Sequence, residues 1–188
     1  MHDLAPIHAL GGADRRSDTE GDVTLTENLG LALASVAARR GHEAACRAHL
    51  GALLEGAAPE PGKTVLHDPE ASFWMGPDQW MVGALFESHE DLAVQLKARF
   101  EETASITEQT DGWVCFDMRG DGVEAVMQLC CNLDIEQMQI GDATRTTIHY
   151  IGVYVLRRDP ANWLRILGPR SSAGSLHHAL TAAMKAAL

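Results

Sequence analysis

The chain has 188 residues, of which 46% are hydrophobic, and a formal net charge of −11. This length suits one domain or two small ones, and the hydrophobic fraction is sufficient for a buried core. The negative charge argues against binding to nucleic acid or to an anionic membrane surface. No run of about 18 apolar residues is present to span a bilayer. The N-terminus lacks the regions of a secretory signal, so we predict a cytoplasmic protein.

Residues 1–22 are polar, with three glycines and mixed charge, which predicts a flexible N-terminal arm. Residues 23–110 follow as a first α+β half. Hydrophobic periodicity there predicts a strand, a helix, two strands, a second helix and a strand. The expected positions are 29–37, 43–55, a hairpin within 64–85, a helix beginning at Ser88, and 104–110. This order is that of a ferredoxin-like βαββαβ unit.

The stretch FWMGPDQWMV, residues 73–82, is predicted to be the hairpin of this half. Pro77 suits the second position of a tight turn, and Gly76 precedes it. Trp74 and Trp80 flank the turn. Tryptophans in strands bury a large apolar area, so core packing is one interpretation, and anchoring of a protein partner is the other.

Residues 111–188 are predicted to be a second ferredoxin-like half that forms one compact unit with the first. The expected order is a strand at 113–118, a helix, a hairpin around Ile151-Gly152, a short turn or helix at 160–163, a strand at 163–167 and a last helix. Asp121 is expected to be the N-cap of the first of these helices, with Glu124 three residues on, and Ser172 or Ser175 the N-cap of the last.

Two motifs suggest chemistry, but neither predicts a site. Gly120–Ala125 matches the G-x-G-x-x-A dinucleotide fingerprint, yet Asp121 would place a carboxylate where the pyrophosphate binds. The pairs Cys130-Cys131 and His177-His178 point about 100° apart on a helix, so neither pair chelates a metal. We therefore predict no catalytic, cofactor-binding or metal-binding residue, and four reduced, mostly buried thiols.

Four arginines lie late in this acidic chain, at positions 157, 158, 165 and 170. They are expected either to be solvated at a strand edge or to contact a carboxylate-rich partner. Trp163 lies in an irregular segment beside Pro160, and we predict that it is an exposed anchor for a protein partner, with Arg170 near it as a polar anchor. An isolated chain with such an apolar face would tend to self-associate.

Four segments resemble the gamma subunit of heterotetrameric sarcosine oxidase. That family shares the fold of the folate-binding domain of aminomethyltransferases. The similar segments, in chain order, are MGPDQWM at 75–81, TDGW followed by DMRG at 110–120, LCCNLD at 129–134 and RSSAGSL at 170–176. The resemblance covers residues 28–187.

The resemblance implies a fold of two ferredoxin-like halves and a subunit with no cofactor of its own. It also implies large flavin-containing alpha and beta subunits and a small zinc-binding delta subunit as partners, with FAD, FMN, NAD and tetrahydrofolate bound there. The family's complex oxidatively demethylates sarcosine to glycine, forms hydrogen peroxide and transfers the methyl carbon to tetrahydrofolate. The alternative is a free-standing protein of the same fold that binds folate or another small molecule.

Two signatures of the related folate enzymes differ or are missing. The aminomethyltransferases have an F-D-x-S-H turn, whereas residues 107–111 read TEQTD, with Glu108 near the position of the aspartate and no histidine. The K-G-C-[YF]-x-G-Q signature of folate-binding iron–sulfur repair proteins is absent. We therefore expect no folate chemistry on this chain.

Overall fold

A computed structural model describes residues 7–67, 70–159 and 162–188. The chain divides into two compact units. The middle unit comprises Gly30–Thr110 with Gly141–Thr144, and the terminal unit comprises the chain up to Leu29, Asp111–Ile140 and Arg145–Leu188. In chain order the elements are β1 (Ser17–Glu20), β2 (Val23–Glu27), β3 (Leu31–Ala38), α1 (Glu43–Leu53), β4 (Thr64–Val65), β5 (Ala71–Gly76), β6 (Gln79–Leu85), α2 (Leu92–Phe100), β7 (Ala104–Glu108), β8 (Trp113–Arg119), α3 (Val123–Cys130), β9 (Ala143–Ile148), β10 (Ile151–Asp159), β11 (Trp163–Pro169) and α4 (Ala173–Ala187).

The middle unit has the predicted ferredoxin-like order. Its sheet runs β4-β5-β6-β3-β7, and β3 pairs antiparallel with both β6 and β7. Alternate residues of β3 and β6 face a hydrophobic core that also contains the apolar face of α1 and α2. That core includes Val36, Cys46, Leu50, Trp80, Val82, Leu96, Phe100 and Ile106.

The Gly-Pro-Asp hairpin packs into the core of this unit. Pro77 and Asp78 are the two turn residues between paired Gly76 and Gln79, and Asp78 has a φ of 53°. Arg47 of α1 donates two hydrogen bonds to Oδ1 of Asp78, at 2.9 and 3.1 Å. Trp80 is fully buried, and its indole N–H donates to the carbonyl of Pro59 at 2.9 Å. The hairpin therefore serves core packing, as one of the two interpretations predicted for its tryptophans.

The terminal unit also contains a ferredoxin-like sheet. The strand that takes the last place of the βαββαβ order comes from the N-terminal part of the chain. The order of the sheet is β1-β2-β8-β11-β10-β9. Strand β2 pairs antiparallel with β8, just as β7 pairs with β3 in the middle unit. Strand β2 thus occupies the position that a strand after α4 would otherwise fill. The chain is an α+β protein of two ferredoxin-like halves, so the predicted fold class is confirmed.

This arrangement changes the predicted boundary at 22/23, whereas the two units meet between Thr110 and Asp111 as the sequence predicted. Ser17–Glu20 is a strand paired with β2, although it lies in the segment predicted to be a flexible arm. Strand β2 lies in the terminal unit and not in the first half, because Val23 and Leu25 face the core of that unit. Other members of that core are Phe116, Met118, Val126, Met127, Leu164, Ile166, Leu176, Leu180 and Met184.

Two predicted boundaries shift for local reasons. Helix α2 begins at Leu92 and not near Ser88, because Phe86–Ser88 forms a separate 3₁₀ turn in which the Ser88 hydroxyl bonds the carbonyl of Leu85. The β9–β10 hairpin turns at residues 149 and 150 and not at Ile151-Gly152. His149 and Tyr150 have φ of 47° and 68°, the left-handed geometry of a two-residue type I′ turn.

The start of α4 agrees with one of the two predicted caps. Ser172 occupies the N-cap position, although its side chain makes no capping hydrogen bond. Of the short turn predicted at 160–163, residues 160 and 161 lie outside the described residues. No helix within the described ranges is both long and apolar enough to cross a membrane.

Candidate functional site

A group of arginines surrounds Trp163 in the terminal unit. Trp163 opens β11 and pairs with Arg119, the last residue of β8. The guanidinium carbon of Arg119 lies 3.8 Å from the centroid of the Trp163 ring, that of Arg158 lies 5.3 Å away, and that of Arg165 lies 5.7 Å away. These distances are those of cation–π contacts. We call these four residues the Trp163 cluster.

Strand periodicity brings the cluster together. Leu164 and Ile166 of β11 face the core, so Trp163 and Arg165 point to the opposite face of the sheet. The same alternation on β8 places Met118 in the core and Asp117 on the face of Arg165, with which it is paired across the strands. The helices of this unit therefore pack on one face of the sheet, and the cluster lies on the other.

The base of the cluster is a buried ion pair. Arg165 donates to both oxygens of Asp117, with Nε to Oδ1 at 2.8 Å and Nη2 to Oδ2 at 2.9 Å. Asn28 donates a further hydrogen bond to Oδ2 at 2.8 Å. Burial alone would raise the pKa of the Asp117 carboxyl, but the hydrogen bonds and charge of Arg165, with the bond from Asn28, hold that pKa below its usual value. Asp117 is therefore ionised and fixed in place.

Among the described side chains of the cluster and its base, positive charges outnumber negative ones. Three guanidinium groups meet one carboxylate, and Asp117 is already engaged by Arg165. The buried Nε of Arg158 has no hydrogen-bond partner among the side chains and backbone that the structure describes. Burial, together with the charges of Arg165 and Arg119, lowers the pKa of Arg158.

The structure separates the two residues predicted to form a partner anchor. Trp163 begins β11, whereas Arg170 follows its last residue, so seven steps of extended chain, about 23 Å, separate their Cα atoms. Arg170 is therefore not near Trp163. It bonds the carbonyl of Ile7 and lies 3.5 Å from the carboxylate of Asp111. Trp163, which was predicted to be exposed, is half-buried under Arg119. A role of either residue at an interface remains a prediction.

Sequence reasoning missed Arg119, Asp117 and Asn28 as members of this site. One signal was present in the sequence. Asp117 interrupts the apolar run of β8, and Arg165 interrupts that of β11. Opposite charges in two apolar strands favour a paired arrangement. The pairing of β8 with β11 across 48 residues of sequence is what the sequence did not show.

The glycines of the G-x-G-x-x-A motif are accounted for by close packing against the β1–β2 turn. A β-carbon on Gly120, whose φ is 130°, would lie 2.1 Å from the carbonyl oxygen of Asp22. Gly122, and not Asp121, is the N-cap of α3, which corrects the predicted cap. The carboxylate of Asp22 accepts the backbone N–H of Gly122 at 3.0 Å. A side-chain anion thus occupies the position at which the fingerprint would bind pyrophosphate.

The cysteines are free, and Cys46 and Cys115 are buried. Burial raises the pKa of Cys46 to about 11 and that of Cys115 to about 12. Thiols with raised pKa values are poor nucleophiles at neutral pH. In the part of the chain that the structure describes, no three histidine, cysteine or acidic side chains come together as a metal-ligand set.

No protein-family model and no curated protein sequence matches this chain. Solved structures do share its fold. A chain of heterotetrameric sarcosine oxidase from Corynebacterium sp. U-96, in complex with pyrrole 2-carboxylate, is 22% identical, and the match covers 89% of this chain and 86% of that chain with a TM-score of 0.76. The glycine cleavage system aminomethyltransferase T from Bartonella henselae is 12% identical, with 86% of this chain and 46% of that chain covered and a TM-score of 0.63. The chain therefore has the aminomethyltransferase-like fold and spans about half of that second protein.

Proposed function

We propose that this chain is a non-catalytic, gamma-type subunit of a sarcosine-oxidase-type complex. The observation that carries the proposal is the fold match to a chain of heterotetrameric sarcosine oxidase, which covers nearly nine-tenths of both chains. Two chains that match over almost their whole lengths are similar in size as well as in fold. The four sequence segments that resemble the gamma subunit support the same assignment.

In this proposal the chemistry belongs to partner subunits. Larger flavin-containing alpha and beta subunits and a small zinc-binding delta subunit would bind FAD, FMN, NAD and tetrahydrofolate and oxidise sarcosine to glycine. This chain would supply a folded surface against them. The buried thiols and the occupied N-terminus of α3 fit such a role, because neither presents a reactive group to a substrate. Subunit interfaces of permanent complexes commonly bury more than about 2,000 Å².

Co-expression with the candidate partner subunits from the same genome tests the proposal. A tagged copy of this chain is expected to co-purify with a flavin-containing protein in fixed ratio, and the purified assembly is expected to form peroxide when sarcosine is added. The chain alone is expected to be colourless and inactive on sarcosine. Peroxide formation from sarcosine by the isolated chain would contradict the proposal.

A second candidate is a free-standing protein that binds folate or another small molecule. The match to an aminomethyltransferase favours it, because that enzyme shares the fold over most of this chain. Isothermal titration of the isolated chain with tetrahydrofolate separates the two candidates. Micromolar binding together with no association to any partner subunit would favour this second candidate over the first.

A further inference from the structure

We infer that a groove on the terminal unit binds an amphipathic helix of a flavin-containing partner subunit. This inference rests on the proposed function and adds the surface and the mode of contact. Three elements form the walls of the groove: the C-terminal end of α3, the turn between β9 and β10, and one face of α4. Its volume is about 750 Å³, and its lining residues all belong to the terminal unit. We call it the α4 groove.

The floor of the α4 groove is a row of small side chains. Ala179, Ala182, Ala183 and Ala186 recur at spacings of three and four residues, so they lie on one face of α4. The distance between packed helices depends on the side chains at the contact, so alanines allow a second helix to approach closely. Their methyl groups offer no polar contact of the kind that orients a small ligand. The floor therefore fits a helix better than a small molecule.

Large exposed side chains stand at the rim of the groove. Leu129 near the end of α3 is 59% exposed, and Tyr150 in the β9–β10 turn is 97% exposed. The ring of His149 lies beside that of Tyr150, with 5.9 Å between the ring centroids. Apolar and aromatic side chains exposed together mark protein contact sites, and tyrosine is enriched among the residues that dominate binding. A helix seated in the groove would cover both side chains.

The distribution of charge indicates which helix fits. Residues 143–188, which include the β9–β10 turn and α4, contain six of the 15 lysine and arginine residues but only one of the 26 acidic residues. The groove continues into a polar depression of about 440 Å³, since Asn132 and Thr147 line both. Exposed Arg145 lies in that depression, and none of the described residues that line either one is acidic. A helix with an apolar face and an acidic residue toward Arg145 is complementary to this surface.

A second copy of this chain is the other protein that could present a helix, and the charge argues against it. Helix α4 contains no acidic residue, and its Lys185 is exposed. Two α4 helices in contact would bring basic regions together, and like charges at an interface are costly. The occupant we assign is therefore a helix of a different, acidic protein chain, which in the proposed complex is a flavin-containing subunit.

The affinity of the full-length chain for the purified flavin-containing subunits tests the inference. Ala182→Arg places a long, charged side chain in the floor and is expected to weaken binding about 30-fold or more. Ala182→Ser, which keeps the floor small, is expected to bind like wild type. Ala98→Arg is the matched control, because Ala98 is an exposed alanine of α2 in the middle unit, and it is also expected to bind like wild type. Circular dichroism verifies that each variant is folded.

The salt dependence of binding tests the acidic end of the helix. Arg145→Gln is expected to slow association and to reduce its dependence on sodium chloride, whereas Arg40→Gln, which removes an exposed charge of the middle unit, is expected to leave both unchanged. Equal effects of the two changes would overturn the assignment of an acidic helix.

The outcomes separate this inference from the proposed function. If wild type and Ala182→Arg bind the flavin-containing subunits equally well, the inference is overturned while the proposed function stands. If wild type does not bind them, the proposed function is contradicted and, with it, the assigned occupant. If native mass spectrometry shows a dimer of the isolated chain that Ala182→Arg converts to a monomer, the groove binds a second copy and the inference is overturned.

Discussion

Removing the charge of Asp117 should destabilise the protein strongly. The side chains of Asp117 and Arg165 are only 10% and 11% exposed, and two hydrogen bonds join them. In Asp117→Asn, Arg165 keeps its buried charge and loses this counter-ion, close to the ring that also contacts Arg119 and Arg158. Loss of one member of a buried pair typically costs about 3–5 kcal/mol of unfolding free energy.

The protein contains a matched control for this change. In the Arg47–Asp78 pair a guanidinium nitrogen also lies 2.9 Å from a carboxylate oxygen, but the two side chains are 38% and 35% exposed. Exposed pairs contribute about 0–1 kcal/mol, and asparagine tolerates the positive φ of Asp78. Asp78→Asn should therefore cost far less than Asp117→Asn. Equilibrium urea unfolding at pH 7, followed by circular dichroism, measures both changes.

A double variant separates the cost of the unpaired charge from the value of the pair. Asp117→Leu with Arg165→Met removes both charges together and leaves apolar side chains of similar size. Buried ion pairs replaced in this way are often neutral in stability, so the double variant should be more stable than Asp117→Asn. Equal destabilisation by Asp117→Asn and Asp78→Asn, or a double variant less stable than Asp117→Asn, would refute the reasoning.

Three further changes have defined outcomes. Asp22→Ala should lower stability by about 1 kcal/mol in thermal unfolding, because it frees the N–H of Gly122, the N-cap residue of α3, whereas Asp121→Ala should have almost no effect; the reverse order would contradict the corrected cap. Trp80→Phe should cost about 1–3 kcal/mol in urea unfolding, since it leaves a buried carbonyl unpaired; a cost near zero would contradict that bond. The pKa of Asp18 is lowered to about 2, chiefly by its hydrogen bond with Arg16. A carboxyl group with a lowered pKa stabilises the fold at pH values above its unfolded pKa of about 4, and this stabilisation is lost as the pH falls toward 2. Asp18→Asn should therefore flatten the dependence of the unfolding free energy on pH between about 4 and 2. An unchanged pH dependence in that range would contradict the prediction.

The structure of the middle unit agrees closely with the prediction from the sequence, because the patterns that define its elements are local and regular. The buried residues Cys46 and Leu50 lie on one face of helix α1, and the residues of the Gly-Pro-Asp segment themselves favour a turn. The elements that differed depend on distant residues. Strand β2 joins β8 across about 90 positions of sequence, as the bond from Asn28 to Asp117 shows. No local pattern reveals such a pairing.

The same reason explains what was missed in the candidate site. The N-cap residue of α3 is Gly122, and its N–H is bonded by Asp22, which is 100 residues away, so the predicted cap at Asp121 was wrong. The His149-Tyr150 turn lacks glycine, which usually marks such a turn. Trp163 was singled out from its residue type and its position in the sequence. The arginines around it come from three different strands, so no local pattern groups them.

The mass of the native assembly tests the proposed subunit role most directly. A tag on this chain in its own cells allows purification under mild conditions, followed by native mass spectrometry and a flavin absorption spectrum of the same sample. The proposal predicts an assembly of four different chains in equal copies, with bound flavin and sarcosine-dependent peroxide formation. Recovery of this chain only as a monomer or as copies of itself, while sarcosine oxidation remains with other proteins of the cell, would contradict it.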